Sequence, residues 1–383
     1  MKNNWQIKTL GEVCEIINGG TPDTKKKEYW DGENLWITPK DMGKLKSIYV
    51  GDTFRKLTEE GIRKSSATIM PENSIILSSR APIGHLAINT KPMSTNQGCK
   101  GIVPKKGMDT KFIYYFLKKS VKLLNELGSG TTFKELSGTK LSSVVLPVPS
   151  IETQKQIVKL LDEVFESISK SKENAEKNLK NAKELFESYL EEIFSKNKKD
   201  WEQEKLKDVC NLSAGGDVPK NNFSKTMTDK YTVPIFSNGI NGKGLYGYTD
   251  IKKVIEPSIT ISARGTIGYP EIRKEPFYPV IRLIVVTPNK KMLNLDFLKY
   301  SLDRLNFVKS GTSIPQLTVP MIKEYEIHFP KSLEEQKTIV QKLDLLSKEI
   351  KELESIYEQK VKDLEELKKS MLQKAFSGEL TKE

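Results

Sequence analysis

Two histidines and three cysteines are all that the 383 residues supply of the side chains most used for metal binding and nucleophilic chemistry. No Cys-Xaa-Xaa-Cys or His-Glu-Xaa-Xaa-His spacing occurs, so neither a structural nor a catalytic zinc is expected. His85 and His328 lie at unrelated places in the chain and are expected to be structural or exposed. Three cysteines are too few and too odd for a disulfide framework; Cys14 and Cys210 sit inside apolar runs and Cys99 stands alone. Long hydrophobic runs are missing as well. Stretches such as Ile75 to Leu77 or Leu283 to Val286 fall far short of the roughly 18 residues that a bilayer span needs. Met1-Lys2-Asn3-Asn4-Trp5-Gln6 carries no secretory h-region, and a reducing cytoplasm is the expected location. The Gly239–Gly244 run (GINGKG) lacks the spacing of a phosphate loop and reads as turns. Neither a Gly-Xaa-Ser-Xaa-Gly elbow nor an Asn-Pro-Pro-aromatic or Asp-Pro-Pro-aromatic segment appears, so no catalytic residue is expected.

What is present is charge. Charged residues make up 29% of the chain and hydrophobic ones 37%, while 14 Phe, 13 Tyr and 4 Trp argue against wholesale disorder. The net charge of +12 is unevenly spread. Residues 1–150 carry +9 and 198–332 carry +7, whereas 151–197 and 333–383 carry −2 each. Two basic segments alternating with two mildly acidic ones point to a polyanion partner held by the basic pair.

The alternation follows an internal repeat. Trp5, Leu10 to Cys14 and Gly19-Gly20 return as Trp201, Leu206 to Cys210 and Gly215-Gly216. Ser79-Arg80-Ala81-Pro82-Ile83-Gly84 returns as Ala263-Arg264-Gly265-Thr266-Ile267-Gly268, and Gly130-Thr131-Thr132 as Gly311-Thr312-Ser313. Gln154 to Asp162 (QKQIVKLLD) returns as Gln336 to Asp344 (QKTIVQKLD). A module plus its tail has been duplicated, and the period is far too long for a solenoid.

Each module is expected to be mixed α and β, with strands at Ser74–Ser78 and Ile281–Thr287 and helices at Lys111–Leu127 and Leu295–Leu305. Pro147–Ser150 and Pro330–Ser332 are expected hinges, and Lys196–Asp200 the passage into the second module. In the tails, a three-four spacing selects Ile157, Leu161, Val164, Ile168, Ser171, Ala175, Asn178, Ala182, Leu185, Tyr189 and Glu192. The same phase selects Ile339, Leu343, Leu346, Ile350, Leu353, Tyr357, Lys360, Leu364, Leu367, Met371 and Lys374. This is a heptad seam, and connectivity makes the two helices antiparallel partners related by a pseudo-two-fold. Ser171, Asn178 and Lys360 either set register or mark a solvated gap. The expected organisation is therefore α+β: a first module at 1–150, a long helix at 151–197, a second module at 198–332 and a returning helix at 333–383.

Basic and polar loop residues are the candidates for contact with DNA: Thr21, Thr24, Lys25, Lys26, Lys27, Thr38, Lys40 and Arg80 in the first module, Lys220, Asn221, Ser237, Asn238, Lys243 and Arg264 in the second. Lysines grip phosphates, and amides suit the paired donor and acceptor of adenine. Arg80 and Arg264, repeat equivalents, either touch phosphate or brace their modules.

In this order, the landmarks resemble the specificity subunit of Type I restriction-modification systems across essentially the whole chain. The resemblance rests on Trp5 to Val13, Thr21-Pro22, Tyr29-Trp30, Trp36, the Arg80 and Gly130 motifs, and Leu146 to Pro149. It is completed by the two Gln-Lys-Xaa-Ile-Val runs and Leu372 to Leu380. Thr153 departs from it where the second copy keeps Glu335, and Phe329-Pro330 has one proline where the first copy has two. The resemblance implies two target recognition domains, each reading half of a split asymmetric site, with the coiled-coil helices setting the spacer. It further implies two modification subunits docked on the helices, S-adenosylmethionine and ATP on partner subunits only, and restriction subunits as further partners. Two other classes stay open at this point: a nuclease or methyltransferase with an unrecognised site, and a coiled-coil adaptor whose modules bind RNA or acidic proteins.

Overall fold

The computed structural model describes residues 5–80, 82–130, 134–196, 200–305, 307 and 316–380. Ala81, Thr131-Thr132, Gly311-Thr312-Ser313 and 197–199 lie outside the described residues. The chain divides into two compact units, Met1–Glu176 with Glu358–Glu383, and Lys177–Tyr357.

In the first unit a lead strand β1 (Gln6–Thr9) pairs antiparallel with the closing strand β10 (Val145–Val148). Between them lie β2 (Cys14–Asn18), β3 (Trp30–Ile37), β4 (Tyr49–Val50), β5 (Arg55–Leu57), β6 (Ile75–Ser78), β7 (Leu86–Asn89), β8 (Met93–Thr95) and β9 (Cys99–Pro104). They form a five-stranded sheet β2-β9-β6-β7-β4 and a three-stranded sheet β5-β3-β8. Side chains alternate across a strand, and β6 is buried on both faces. Ile75 and Leu77 enter the main core with Ile102, Phe112 and Leu117, while Ile76 faces Met70, Ala87 and Met93. That is why β6 reads as an unbroken apolar run.

The second unit repeats the plan with fewer strands. β11 (Glu202–Lys205) pairs with β19 (Glu326–Phe329). Its main sheet is β12-β18-β15-β16 and its small sheet β14-β13-β17. The strands are β12 (Cys210–Ala214), β13 (Val233–Phe236), β14 (Leu245–Thr249), β15 (Ser258–Ile261), β16 (Pro270–Arg273), β17 (Tyr278–Pro279) and β18 (Ile284–Pro288). In both units one pair of the small sheet is parallel, β3 with β8 and β13 with β17.

Three local expectations are corrected. The helix expected at Lys111–Leu127 is two, Thr110–Lys119 and Val121–Leu127, meeting at Ser120. Pro147 is not a hinge but a member of β10, opposite Ile7; β10 has a single partner strand, and an edge tolerates the missing N–H. The strand expected from Ile281 begins only at Ile284, because Ile281 and Arg282 form a turn.

The long helices run Ile151–Lys196 and Leu333–Ser377. Within the first unit they are antiparallel: Leu161 packs in one cluster with Leu372, and Lys172 pairs with Glu365 at 2.8 Å. Within the second, Leu190 shares a cluster with Leu343, and Lys183 faces Glu354 at 3.6 Å. Part of the expected seam is inward: Ile157, Leu161, Ile168, Ala175, Ala182, Leu343 and Ile350 are buried. Toward the middle of the helices five positions are one residue off. Asn178, Leu185, Leu353, Lys360 and Leu367 face solvent, and Leu179, Phe186, Glu354, Val361 and Lys368 are more enclosed. A helix of 3.6 residues per turn accepts a step of three or four, and exposed leucines on the flank imitated the seam. Asn178 and Lys360 therefore do not act as seam polar residues.

The repeated Gln…Asp motif has a structural cause in both units. Buried Gln154 accepts from the Asp109 N–H (2.9 Å) and donates to the Pro149 carbonyl (3.0 Å). Buried Gln336 accepts from the Asn294 N–H and donates to the Met292 and Pro330 carbonyls, each at 2.8 Å. Each glutamine thus ties the start of a long helix to the N-terminus of a module helix. Eight residues on, Asp162 accepts from the Tyr115 hydroxyl (2.5 Å) and Asp344 from the Tyr300 hydroxyl (2.7 Å). Replacing Gln336 with Leu strands three backbone groups that are buried or partly buried, and we expect a loss of about 3 kcal/mol from the second unit, by urea unfolding. A loss below about 1 kcal/mol would contradict this role.

Candidate nucleic-acid interface

In each module some of the residues nominated from the sequence lie beside one short turn between the parallel strand of the small sheet and the main sheet. In the first module this turn is Asn96-Gln97-Gly98, closed by the Cys99 N–H donating to the Asn96 carbonyl (2.9 Å). The Asn96 N–H donates to the Ile37 carbonyl (2.9 Å), and its side-chain amide to the Thr21 hydroxyl (3.2 Å). A Cβ on Gly98 would lie 3.1 Å from both Arg80 Nε and Pro39 Cγ, so close approach requires glycine there. Thr21, Thr38, Lys40 and Arg80 are thereby brought to one place.

Several candidates already have intramolecular duties. Thr38 caps the Pro39–Met42 helical turn, its hydroxyl and N–H both donating to Asp41. Arg80 lies 3.7 Å from Glu135, and its equivalent Arg264 donates to Gln316 (3.0 Å), so a bracing contact is present in both copies. Lys26 donates to the Tyr29 hydroxyl (3.2 Å), which raises its pKa above the ordinary lysine value. Thr24, Lys25, Lys27 and Lys40 are exposed. Trp36 donates to the Gly20 carbonyl (2.9 Å) and Trp30 to the Asp23 carbonyl (3.2 Å), and Arg55 stacks on Trp30 with 3.4 Å to the ring centre. The two indoles therefore hold the Thr21–Lys27 loop against the small sheet.

In the second module the equivalent turn is Val280-Ile281-Arg282-Leu283, closed by the Leu283 N–H donating to the Val280 carbonyl (3.1 Å). Val280 donates to the Phe236 carbonyl (2.9 Å), as Asn96 does to Ile37. Asn238 braces its surroundings: its amide donates to the Ile281 carbonyl (2.8 Å) and its oxygen accepts from the Ala263 N–H (2.6 Å). One N–H and one oxygen lone pair of that amide remain beyond these two bonds. Ser237 is half-buried beside it, and Lys243 pairs with Glu271 at 2.9 Å. Beneath Lys243, the Arg273 guanidinium stacks on Phe236 at 3.6 Å, and burial lowers its pKa to about 10. Lys220 and Asn221 are exposed after Pro219, on a turn that no hydrogen bond joins to this cluster among the described residues.

Cys14, Cys99 and Cys210 are buried, which pushes each thiol up to about 12 and keeps it protonated at neutral pH. Exposed residues that the sequence did not single out also lie on these surfaces. Gln97 stands at the tip of the first turn, and Phe54, 91% exposed, precedes Arg55. Gln97 had no signal apart from its place between Asn and Gly. Among the described residues no helix is long and apolar enough to cross a membrane.

The model of the family described as the Type I restriction modification DNA specificity domain matches residues 2–180 and 198–362. The chain is 29% identical to the Type I restriction enzyme MjaIX specificity subunit of Methanocaldococcus jannaschii, over 98% of this chain and 94% of that protein. It is 31% identical to the EcoR124I/EcoR124II specificity subunit of Escherichia coli over 49% of this chain and 48% of that one. In fold it is similar to a chain from a type I R-M system described for its complex assembly and conformational transition (TM-score 0.80, 18% identity, 98% of both chains). It is also similar to the HsdS subunit of Thermoanaerobacter tengcongensis (TM-score 0.66, 17% identity, 99% of this chain and 98% of that one).

Proposed function

The chain belongs to the Type I restriction modification DNA specificity family, and from that membership we propose how it works. It is the sequence-reading subunit of a Type I restriction-modification complex, with no catalysis of its own. The module spanning 1–150 and the module spanning 198–332 each read one half of a split, asymmetric site in double-stranded DNA. The helices over 151–197 and 333–383 set the length of the unread spacer and dock two modification subunits. Leu185, Leu345, Leu353, Ile356 and Leu367, between 41% and 60% exposed along these helices, suit such docking. S-adenosylmethionine and ATP belong to the partner subunits, with restriction subunits as further partners, and the assembly works in the cytoplasm.

One observation carries the reading: both halves of the chain match the family, over residues 2–180 and 198–362. Exposed Thr24, Lys25, Lys27, Lys40, Lys220 and Asn221 supply phosphate and groove contacts. Thr21, Lys26, Thr38, Arg80, Ser237, Asn238, Lys243 and Arg264 shape the reading surface from beneath or touch DNA with their remaining polar atoms.

The test is selection of duplexes with a randomised 25-bp centre by the full chain assembled with its modification subunits. We expect a consensus of two short blocks separated by a gap of constant length. At fixed salt the affinity for that consensus should exceed that for its scrambled counterpart by about 10³ or more. Equal affinities would overturn the reading.

A further inference from the structure

Deepening this reading of the second module, the geometry points to Arg282 as a base-reading residue, presented to DNA by a strained turn that Asn238 braces. The turn places two consecutive non-glycine residues in the left-handed region, Ile281 at φ 53° and Arg282 at φ 58°. Two residues of positive φ closed by the Val280–Leu283 hydrogen bond correspond to a type I′ turn, whose favoured sequence is Asn-Gly. A β-branched residue in that conformation is an outlier, because its Cβ is crowded by the following carbonyl. Such strain persists only where surrounding contacts over-determine it.

Those contacts are present. Ile281 donates its N–H to the Gly216 carbonyl (2.8 Å), its own carbonyl accepts from Asn238, and Val280 and Leu283 are buried. The backbone is clamped from three sides while the side chains are left out: Ile281 is 46% exposed and Arg282 is exposed. Arg282 has no ion pair or hydrogen bond to another residue among the described residues, whereas neighbouring Lys243 and Arg264 have protein partners. A cation held on a rigid tip, in a module carrying +7, fits an acceptor pair on a base edge better than a phosphate grip, which tolerates mobile lysines. The first module offers exposed Gln97 at the equivalent tip.

This inference rests on the DNA-reading function above, and the test separates the two. Four full-length proteins, each assembled with modification subunits, are compared by selection from the randomised duplex pool and by titration of the wild-type consensus. They are the wild type, Arg282→Ala, Arg282→Lys and the double variant Ile281→Asn with Arg282→Gly. We expect Arg282→Ala to bind the consensus about 10- to 100-fold more weakly and to lose preference at one or two positions within a single block. Arg282→Lys should fail to restore it. The double variant should melt a few degrees above wild type, because the turn now has its preferred residues, yet bind as weakly as Arg282→Ala. Affinities within twofold of wild type with unchanged preferences, or full rescue by lysine, would overturn the assignment while leaving DNA reading intact. A wild type that enriches no sequence would overturn both.

Discussion

Replacing Phe376 with Ala is expected to destabilise the first unit by about 3–5 kcal/mol, although the residue lies at the far end of the sequence. Phe376 is 3% exposed and packs against Phe112 and Phe116, with ring centres 5.0 and 5.6 Å away. Leu372 and Ala375 join it in the cluster that holds Ile75, Leu77 and Leu161. The first core is thus completed by the last turns of the second long helix. The second core is built around Phe297, Ile284 and Leu343. Urea unfolding followed by tryptophan fluorescence in a Trp201→Phe background leaves Trp5, Trp30 and Trp36, all in the first unit, as reporters. A loss under about 1 kcal/mol would contradict the discontinuous core.

Changing Lys25, Lys26 and Lys27 together to Ala is expected to weaken binding to every duplex by about two orders of magnitude at roughly 0.15 M salt. The slope of log affinity against log salt should flatten by about 2 to 3, since each phosphate contact contributes about 0.9. Preference for the consensus over scrambled DNA should survive, because phosphate contacts position the protein without reading bases. The loop is suited to this. Lys25 and Lys27 point to solvent, and Trp30 and Trp36 anchor the segment to the small sheet. An unchanged salt slope would remove these lysines from the interface.

The duplication, the mixed modules and the two long helices were legible because they are written redundantly. Trp5 and Trp201, the Arg80 and Arg264 motifs, and the two Gln…Asp runs recur in order, and the structure explains the last by the buried latches at Gln154 and Gln336. The seam was legible only in part. Leu185, Leu353 and Leu367 are apolar and correctly spaced, yet lie on an outer flank, which periodicity alone does not distinguish from the inner one. Asn238 shows a second limit. Its amide looked suited to a base edge, but one N–H and one oxygen lone pair are engaged by backbone groups more than 20 residues away. Least legible was the Ile281-Arg282 turn. Propensity rules assign such a pair to a strand, and the left-handed conformation is imposed by tertiary contacts from Gly216 and Asn238.

Modular reading is tested most directly by exchanging residues 1–150 for the corresponding module of another member of the family and repeating the duplex selection with modification subunits present. We expect a consensus in which one block is replaced, the other is unchanged and the gap between them keeps its length. A change in both blocks, or in neither, would contradict it.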